Sequence, residues 1–289
     1  MGRACLTPRR DRRRGESVAR TMSRDLPALW TPLLHRLSSA SADQGVWKNT
    51  EAGLSGHGDV DFIAPRSEWE GVRIVVKAWA AEAGLGPVIV CPHIPNAVFF
   101  FVVDRSERDF LQLDVRDRVT FRGSTVFQPH DVVHLMAMDP RGFRSLRAGA
   151  EGLVKLVVSG TAPGGRPKPK TLRKENVIEL LASDSEGMRK TASSVFGRVE
   201  SAVLAGAGAA LAGSWDRRAM ATVEAFYTLK GVTEPATVVG RLRARRAKKN
   251  CLVMRTSLEN GRRIRNDVDG WLNEVARTHQ VGHEADDRD

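Results

Sequence analysis

This chain has little cysteine, almost no tyrosine and no long apolar run. Its three cysteines, Cys5, Cys91 and Cys251, are far apart and odd in number, with no Cys-x-x-Cys spacing. That speaks against a disulfide framework or a structural zinc site and for a reducing, cytoplasmic location. Apolar runs such as residues 98–103 are far too short to cross a bilayer, so a membrane role is not expected. The basic N-terminus is followed by no apolar stretch of the kind a secretory signal needs. Tyr227 is the single tyrosine, and aromatics that would stack on bases are missing from the basic regions, which weakens a base-reading RNA role.

What remains is the composition of a globular protein. The 289 residues are 42% apolar and 27% charged, enough for one large domain or two modest ones. The net charge of +11 is unevenly spread. Residues 1–21 hold seven arginines against Asp11 and Glu16, so that arm supplies +5 and the remainder +6. The arm lacks periodicity and reads as disordered; Met22 opens a more protein-like start, so the arm is expected to be dispensable, with nucleic-acid binding as the alternative.

Patterning along the chain predicts α+β architecture. Residues 23–40 carry Leu26, Leu29, Leu33, Leu34 and Leu37 at helical spacing. Gly45-Val46-Trp47 reads as a short strand and residues 50–58 as a Gly-rich loop, followed by a strand over 59–63. Ser67 with Glu70 has capping-box spacing ahead of a helix bearing Val72, Val75, Val76 and Trp79. Residues 88–91, 97–103 and 109–115 read as strands, 119–121 as a further one, and 130–158 as helical with a weak break at Asp139-Pro140-Arg141-Gly142. A Gly/Pro-rich linker spans 159–170. Beyond it only helical patterns occur, near 173–182, 185–211, 215–230, 235–250 and 264–279. The domain reading is therefore an arm over 1–21, a first domain over 22–158, the linker, an all-helical C-terminal domain over 171–281, and a frayed tail over 282–289.

The chemistry concentrates in two segments. In Gly58-Asp59-Val60-Asp61-Phe62-Ile63 two carboxylates alternate with apolar residues, which puts Asp59 and Asp61 on one face of a strand. About fifty residues later, Phe110-Leu111-Gln112-Leu113-Asp114-Val115 carries a lone Asp in another strand pattern. Three carboxylates converging from neighbouring strands make an oxygen-rich site suited to Mg²⁺, which takes a few carboxylates and keeps positions for phosphates. Asp104 and Asp117 compete with Asp114 for the third place.

Trp47-Lys48-Asn49, nine intervening residues, and then Asp59-Val60-Asp61-Phe62 resemble the signature of the nucleotidyltransferase superfamily with the DNA polymerase β-like fold. The likeness covers roughly residues 45–116 and is nearest to a divergent branch with Trp-Lys-Ser/Asn in place of the usual Gly-Ser. It implies a nucleotidyltransferase-type mixed sheet flanked by helices. By the same resemblance Asp59, Asp61 and Asp114 are catalytic residues that bind two Mg²⁺ ions, or Mn²⁺, one carrying a nucleoside triphosphate and the other activating an acceptor hydroxyl. Lys48 stands at the family's glycine position, where it would set a point charge on phosphate instead of a backbone amide. The candidate nucleotide-binding set is Lys48, Asn49, Ser55 and His57, with Ser55, His57 and Glu51 otherwise plain loop polars.

Other patterns carry less. His130 and His134 stand at i, i+4 without the glutamate or third ligand of a zinc site. Glu151 and Lys155 read as a helix-surface ion pair of about a few tenths of a kcal/mol. Residues 183–191 faintly resemble a P-loop but lack its first glycine, and Met188 and Arg189 separate Gly187 from Lys190. Six cations within residues 241–249 form either a solvated face or an electrostatic platform for RNA or triphosphate. The expected function is a Mg²⁺-dependent transfer of a nucleotide from a triphosphate to an acceptor, a small molecule before RNA or protein, with toxin-like modification of tRNA or a host protein as a variant. The rival is a non-catalytic RNA-binding or regulatory protein on the same scaffold.

Overall fold

Among the residues that the computed structural model describes, 25–104, 109–169 and 176–233, the elements follow the apolar spacing closely at first. Helix α1 (Leu26–Ala40) starts where Asp25 Oδ1 accepts the Ala28 amide, with Pro27 in its first turn, and buries Trp30, Leu33, Leu34 and Leu37. Strand β1 (Gly45–Lys48), the five-residue helix α2 (Thr50–Leu54) and strand β2 (Val60–Ile63) follow. Helix α3 (Trp69–Glu82), the hairpin β3 (Val88–Ile94) and β4 (Ala97–Asp104), and strand β5 (Asp109–Arg116) complete the first half. Because α3 and the β3–β4 hairpin carry the chain across the sheet between them, β2 and β5 lie parallel.

The second half adds β6 (Val119–Phe121), β7 (Ser124–Phe127), α4 (Pro129–Val132), β8 (Met136–Met138), β9 (Arg144–Leu146) and α5 (Ala148–Val158). A small ribbon of β10 (Thr161–Ala162) and β11 (Arg166–Pro167) precedes α6 (Val177–Ser183), α7 (Ser185–Thr191), α8 (Glu200–Leu211) and α9 (Arg217–Thr233). The main sheet is mixed and seven-stranded, in the order β3-β4-β5-β2-β1-β9-β8. Among the described residues no helix is long and apolar enough to cross a membrane.

Alternation along the strands gives the sheet two apolar faces. Val46, Val60, Phe62, Phe100, Leu113 and Val115 pack beneath α1 and α3, where Trp30 and Trp79 stack with centroids 5.4 Å apart. Trp47 and Ile63 turn the other way, into a cluster with Phe127, Val154, Leu181, Phe196, Val203 and Tyr227 that runs on from the sheet into the helices. Each such side chain, fully buried, contributes about 1.5–3 kcal/mol.

Several sequence expectations give way to tertiary pairing. Residues 130–158 are not one helical stretch: after α4 and a 3₁₀ turn the chain forms the β8–β9 hairpin, and only then α5. The break at 139–142 is the hairpin turn, closed by the Asp139 amide on Phe143 O and by Gly142 with φ of +89°. β9 lies parallel to β1, whose hydrogen-bonding edge it occupies. Ser67 and Glu70 make no capping box, because a 3₁₀ turn over Arg66–Glu68 leads into α3 and Glu70 pairs with Arg73 instead. The loop over 50–58 contains α2, held by the Glu51–Arg141 ion pair at 2.5 Å. The stretch 185–211 is interrupted by a π turn over Ala192–Phe196 and a 3₁₀ turn over Gly197–Val199. The Gly/Pro segment is pinned to α9: the Gly165 amide donates to Glu224 Oε2 at 2.8 Å, and Trp215 Nε1 donates to Gly165 O at 2.8 Å. The arm over 1–21, the helical patterns over 235–250 and 264–279, the cations over 241–249 and the tail lie outside the described residues.

Helix α5 is buried along the whole of residues 149–157, and this overturns the reading of Glu151 and Lys155 as a surface pair. Close approach to α6 and α7 is possible because a Cβ on Gly149 would lie 1.9 Å from Asp184 O, and one on Gly152 would lie 3.0 Å from Leu180 Cβ. Glu151 and Lys155 are 7% and 3% exposed, with Lys155 Nζ 2.5 Å from Glu151 Oε1. The same Oε1 accepts the Asn49 amide at 2.7 Å, so the pair ties the β1–α2 junction to the central helix. Removing one member leaves the other charged and buried. Glu151→Ala is therefore expected to lower unfolding free energy by about 3–5 kcal/mol, read from urea melts, whereas a loss below about 1 kcal/mol would mean that water reaches the pair.

Candidate metal centre

The register of β2 against β5 aligns Asp61 with Asp114 as neighbours across two parallel strands, with Val60 beside Leu113 and Phe62 beside Val115 on the opposite face. Asp59 precedes Asp61 by two residues and so projects on the same side. One carboxylate oxygen from each of Asp59, Asp61 and Asp114 lies within 4.8 Å of the other two. Asp61 is 0% exposed and Asp114 3%, while Asp59 is half-buried, so the trio opens toward solvent on the Asp59 side.

A β-bulge supplies the fourth member. The register of β1 on β2 slips between Val46 and Lys48, so that Lys48 stands opposite Asp61 while Trp47 enters the cluster beneath the helices. Two consecutive residues thereby serve the same face, which a regular strand forbids. Lys48 Nζ lies 3.1 Å from Asp61 Oδ2 and 5.1 Å from the centroid of the Trp47 ring. The ammonium approaches as an ion-pair partner without hydrogen-bond direction, and neither oxygen of Asp61 takes a hydrogen bond from the described residues.

Asp114 is furnished differently. Gln112 Nε2 donates to its Oδ1 at 2.8 Å, and Arg116 Nη2 stands 4.0 Å from its Oδ2. The Arg116 Nε is buried without a partner among the described residues. Phe99 of β4 lies directly across from Asp114 and helps to keep water away. Burial pushes the Asp61 carboxyl up to about 6, against the pull of Lys48. Burial is also the main cause that raises Asp114, to about 7, with the hydrogen-bonded Asp59 carboxylate adding to it and Gln112 opposing. Three crowded carboxylates, one with both oxygens lacking a donor, are the hard oxygen set that Mg²⁺ or Mn²⁺ takes, and the residues fit such an ion.

The rest of the expected set is spread more widely. Asn49 adopts a left-handed backbone with φ of 55°, and its amide is taken by Glu151. Ser55 and His57 are exposed on the turn after α2; their amides bond to Glu51 O and Ala52 O, and among the described residues no side-chain hydrogen bond or ion pair joins either to the carboxylates. Asp117 is forked by Arg118 and Asp104 stands opposite Asp109 at the end of β4, so Asp114 alone joins Asp59 and Asp61. His130 pairs with Asp131 at 3.1 Å on an exposed turn. Within residues 183–191, Ser183 ends α6 and Ser185–Thr191 form α7, whose first turn is capped by Asp184. The sequence motif does not single out Gln112 and Arg116, although Gln112-Leu113-Asp114-Val115-Arg116 has the same period-two alternation that marks Asp59 and Asp61. Comparison with protein-family models, curated proteins and solved structures finds no match.

A carboxyl raised in the folded state holds its proton after the unfolded chain has lost its own, so folding stability falls as pH rises from about 4 through 7. Without divalent cation, wild type is expected to lose about 1–3 kcal/mol more than Asp114→Asn over that range. At about pH 7.5 in EDTA the variant should then melt higher, and millimolar Mg²⁺ should raise the melting temperature of wild type alone. An Asp114→Asn protein that melts lower than wild type in EDTA would contradict the electrostatic account.

Proposed function

We propose that this chain is a divalent-metal-dependent nucleotidyltransferase that moves a nucleoside monophosphate from a triphosphate to an acceptor hydroxyl and releases pyrophosphate. The observation that carries this reading is the side-by-side placement of Asp61 and Asp114 on parallel strands with Asp59 two residues away. Bound Mg²⁺, with Mn²⁺ as substitute, would offset the charge on the triphosphate and on the attacking and leaving oxygens. Asp59, Asp61 and Asp114 would hold the cation. Asp114, ionised beside the cation, would also orient the acceptor hydroxyl and take its proton as the new oxygen–phosphorus bond forms. The bond from the α-phosphorus to the bridging oxygen breaks, and pyrophosphate carries away the electron pair. Arg116, whose Nη2 stands 4.0 Å from Asp114 Oδ2, would steady phosphate oxygens at the edge of the trio.

Positioning and electrostatics supply most of the rate in such a site, because little covalent chemistry falls to the protein. The acceptor is favoured to be a small molecule, since the aromatics beside the trio, Trp47 and Phe99, are buried and offer no open face for a base to stack on, with an RNA end or a protein side chain as further classes. A second reading, a non-catalytic RNA-binding or regulatory protein, takes its support from the Lys48–Asp61 ion pair, which supplies the trio with a positive charge of the protein's own.

The two are separated by incubating the protein with each α-labelled triphosphate, Mg²⁺ and a cell extract. Transfer of label with release of pyrophosphate, reduced about 100-fold or more by Asp61→Asn, is the outcome expected of the enzyme. RNA binding unaffected by that substitution, with no label transferred from any triphosphate, would sustain the binder.

A further inference from the structure

Positive charge in the site is already partly supplied by side chains. Asp59, Asp61 and Asp114 bring three negative charges. Lys48 stands 3.1 Å from Asp61 Oδ2 and Arg116 4.0 Å from Asp114 Oδ2, which leaves a balance of one negative charge. One divalent ion turns that balance to one positive. A bare trio of carboxylates would need two divalent ions to reach the same value, whereas two ions beside Lys48 and Arg116 would leave three positive charges crowded together.

Geometry places Lys48 as a fixed part of the site. The bulge in β1 sets it opposite Asp61, the Trp47 ring lies 5.1 Å from its ammonium, and Trp47 is itself 4% exposed and packed edge-on against Phe127. The lysine side chain is only 19% exposed, so its stem is held among neighbouring side chains. Its contact takes Asp61 Oδ2, while Asp61 Oδ1 has no donor among the described residues and Asp59 and Asp114 press together beside it. The three carboxylates bring oxygens within 4.8 Å of one another, which suits one shared cation among Asp59, Asp114 and the free side of Asp61, with an ammonium on Oδ2.

Resting on the reading of the trio as a divalent-cation site, we infer that Lys48 is a resident cation that replaces one of two metal ions, so that this chain works with a single divalent ion. The consequence is that occupancy by a second ion is blocked by the lysine charge and becomes possible when that charge is removed.

Mn²⁺ binding followed by electron paramagnetic resonance tests this on the full chain, alone and with a non-hydrolysable nucleoside triphosphate analogue. Two Mn²⁺ ions about 3.5–4 Å apart give a spin-coupled spectrum, and a lone ion does not. Wild type is expected to bind one uncoupled Mn²⁺ that Asp61→Asn weakens at least tenfold, and Lys48→Met to bind a coupled pair. A coupled pair in wild type overturns the inference and leaves the metal reading standing. A single uncoupled ion in both wild type and a folded Lys48→Met also overturns it, because the lysine then excludes nothing. Absence of Mn²⁺ from wild type at millimolar concentration sinks the metal reading together with the inference. Should Lys48→Met fail to fold, the wild-type spectrum and stoichiometry decide the question, with Lys48→Gln as the second variant.

Discussion

A carboxylate shut away from water must meet positive charge or keep its proton, and Asp61 is under that constraint more than any other acid among the described residues. It is fully buried at the centre of the sheet, beside a second buried carboxylate and two residues from a third. The fold answers with Lys48, delivered to the same face by a bulge, and leaves Asp61 Oδ1 without a donor among the described residues, within a carboxylate trio that could hold a hard divalent cation. Much else in the structure serves to hold that arrangement in place. The parallel register of β2 and β5 fixes the spacing of Asp61 and Asp114, and that register in turn requires the crossover through α3 and the β3–β4 hairpin.

The central helix α5 extends the constraint to the second half of the chain. Its glycines let α6 and α7 come close, and Arg147 at its start is forked by Asp184, which also caps α7. Its one buried acid, Glu151, grips both Lys155 and the backbone amide of Asn49. The residue after Lys48 is thus held by the helix, and the bulge that aims Lys48 at Asp61 is braced from behind. An amide taken in this way is not offered to a phosphate, so a lysine charge stands where the resembled superfamily relies on backbone.

How much of this was readable beforehand varies with the kind of signal. Period-two alternation marked the strands of Asp59, Asp61 and Asp114 and the face they share, because the pleat leaves no choice once the apolar partners are buried. Helical spacing marked α1 and α3 for the same reason. The β8–β9 hairpin was not legible: its short segments look helical alone and become strands only because β1 offers an open edge. Nor was the burial of Glu151 and Lys155, since an i, i+4 pair is spelled alike on an exposed helix and a buried one. The flanking Gly149, Ala150, Leu153, Val154 and Leu156 did carry a hint, being apolar around the whole circumference, as in a helix enclosed on all sides. The bulge at Trp47 has no sequence spelling, and the consequence of Lys48 for the metal site follows from it alone.

The central claim is that Asp59, Asp61 and Asp114 gather around a shared divalent cation. Anomalous diffraction from crystals grown with Mn²⁺ at about neutral pH measures this directly, with peak position and ligand distances as the readout. The account predicts density bounded by oxygens of all three aspartates at about 2.1–2.3 Å, with Lys48 still against Asp61. Density that touches none of the three, or carboxylates that stay hydrogen-bonded to one another with no ion between them, would contradict it.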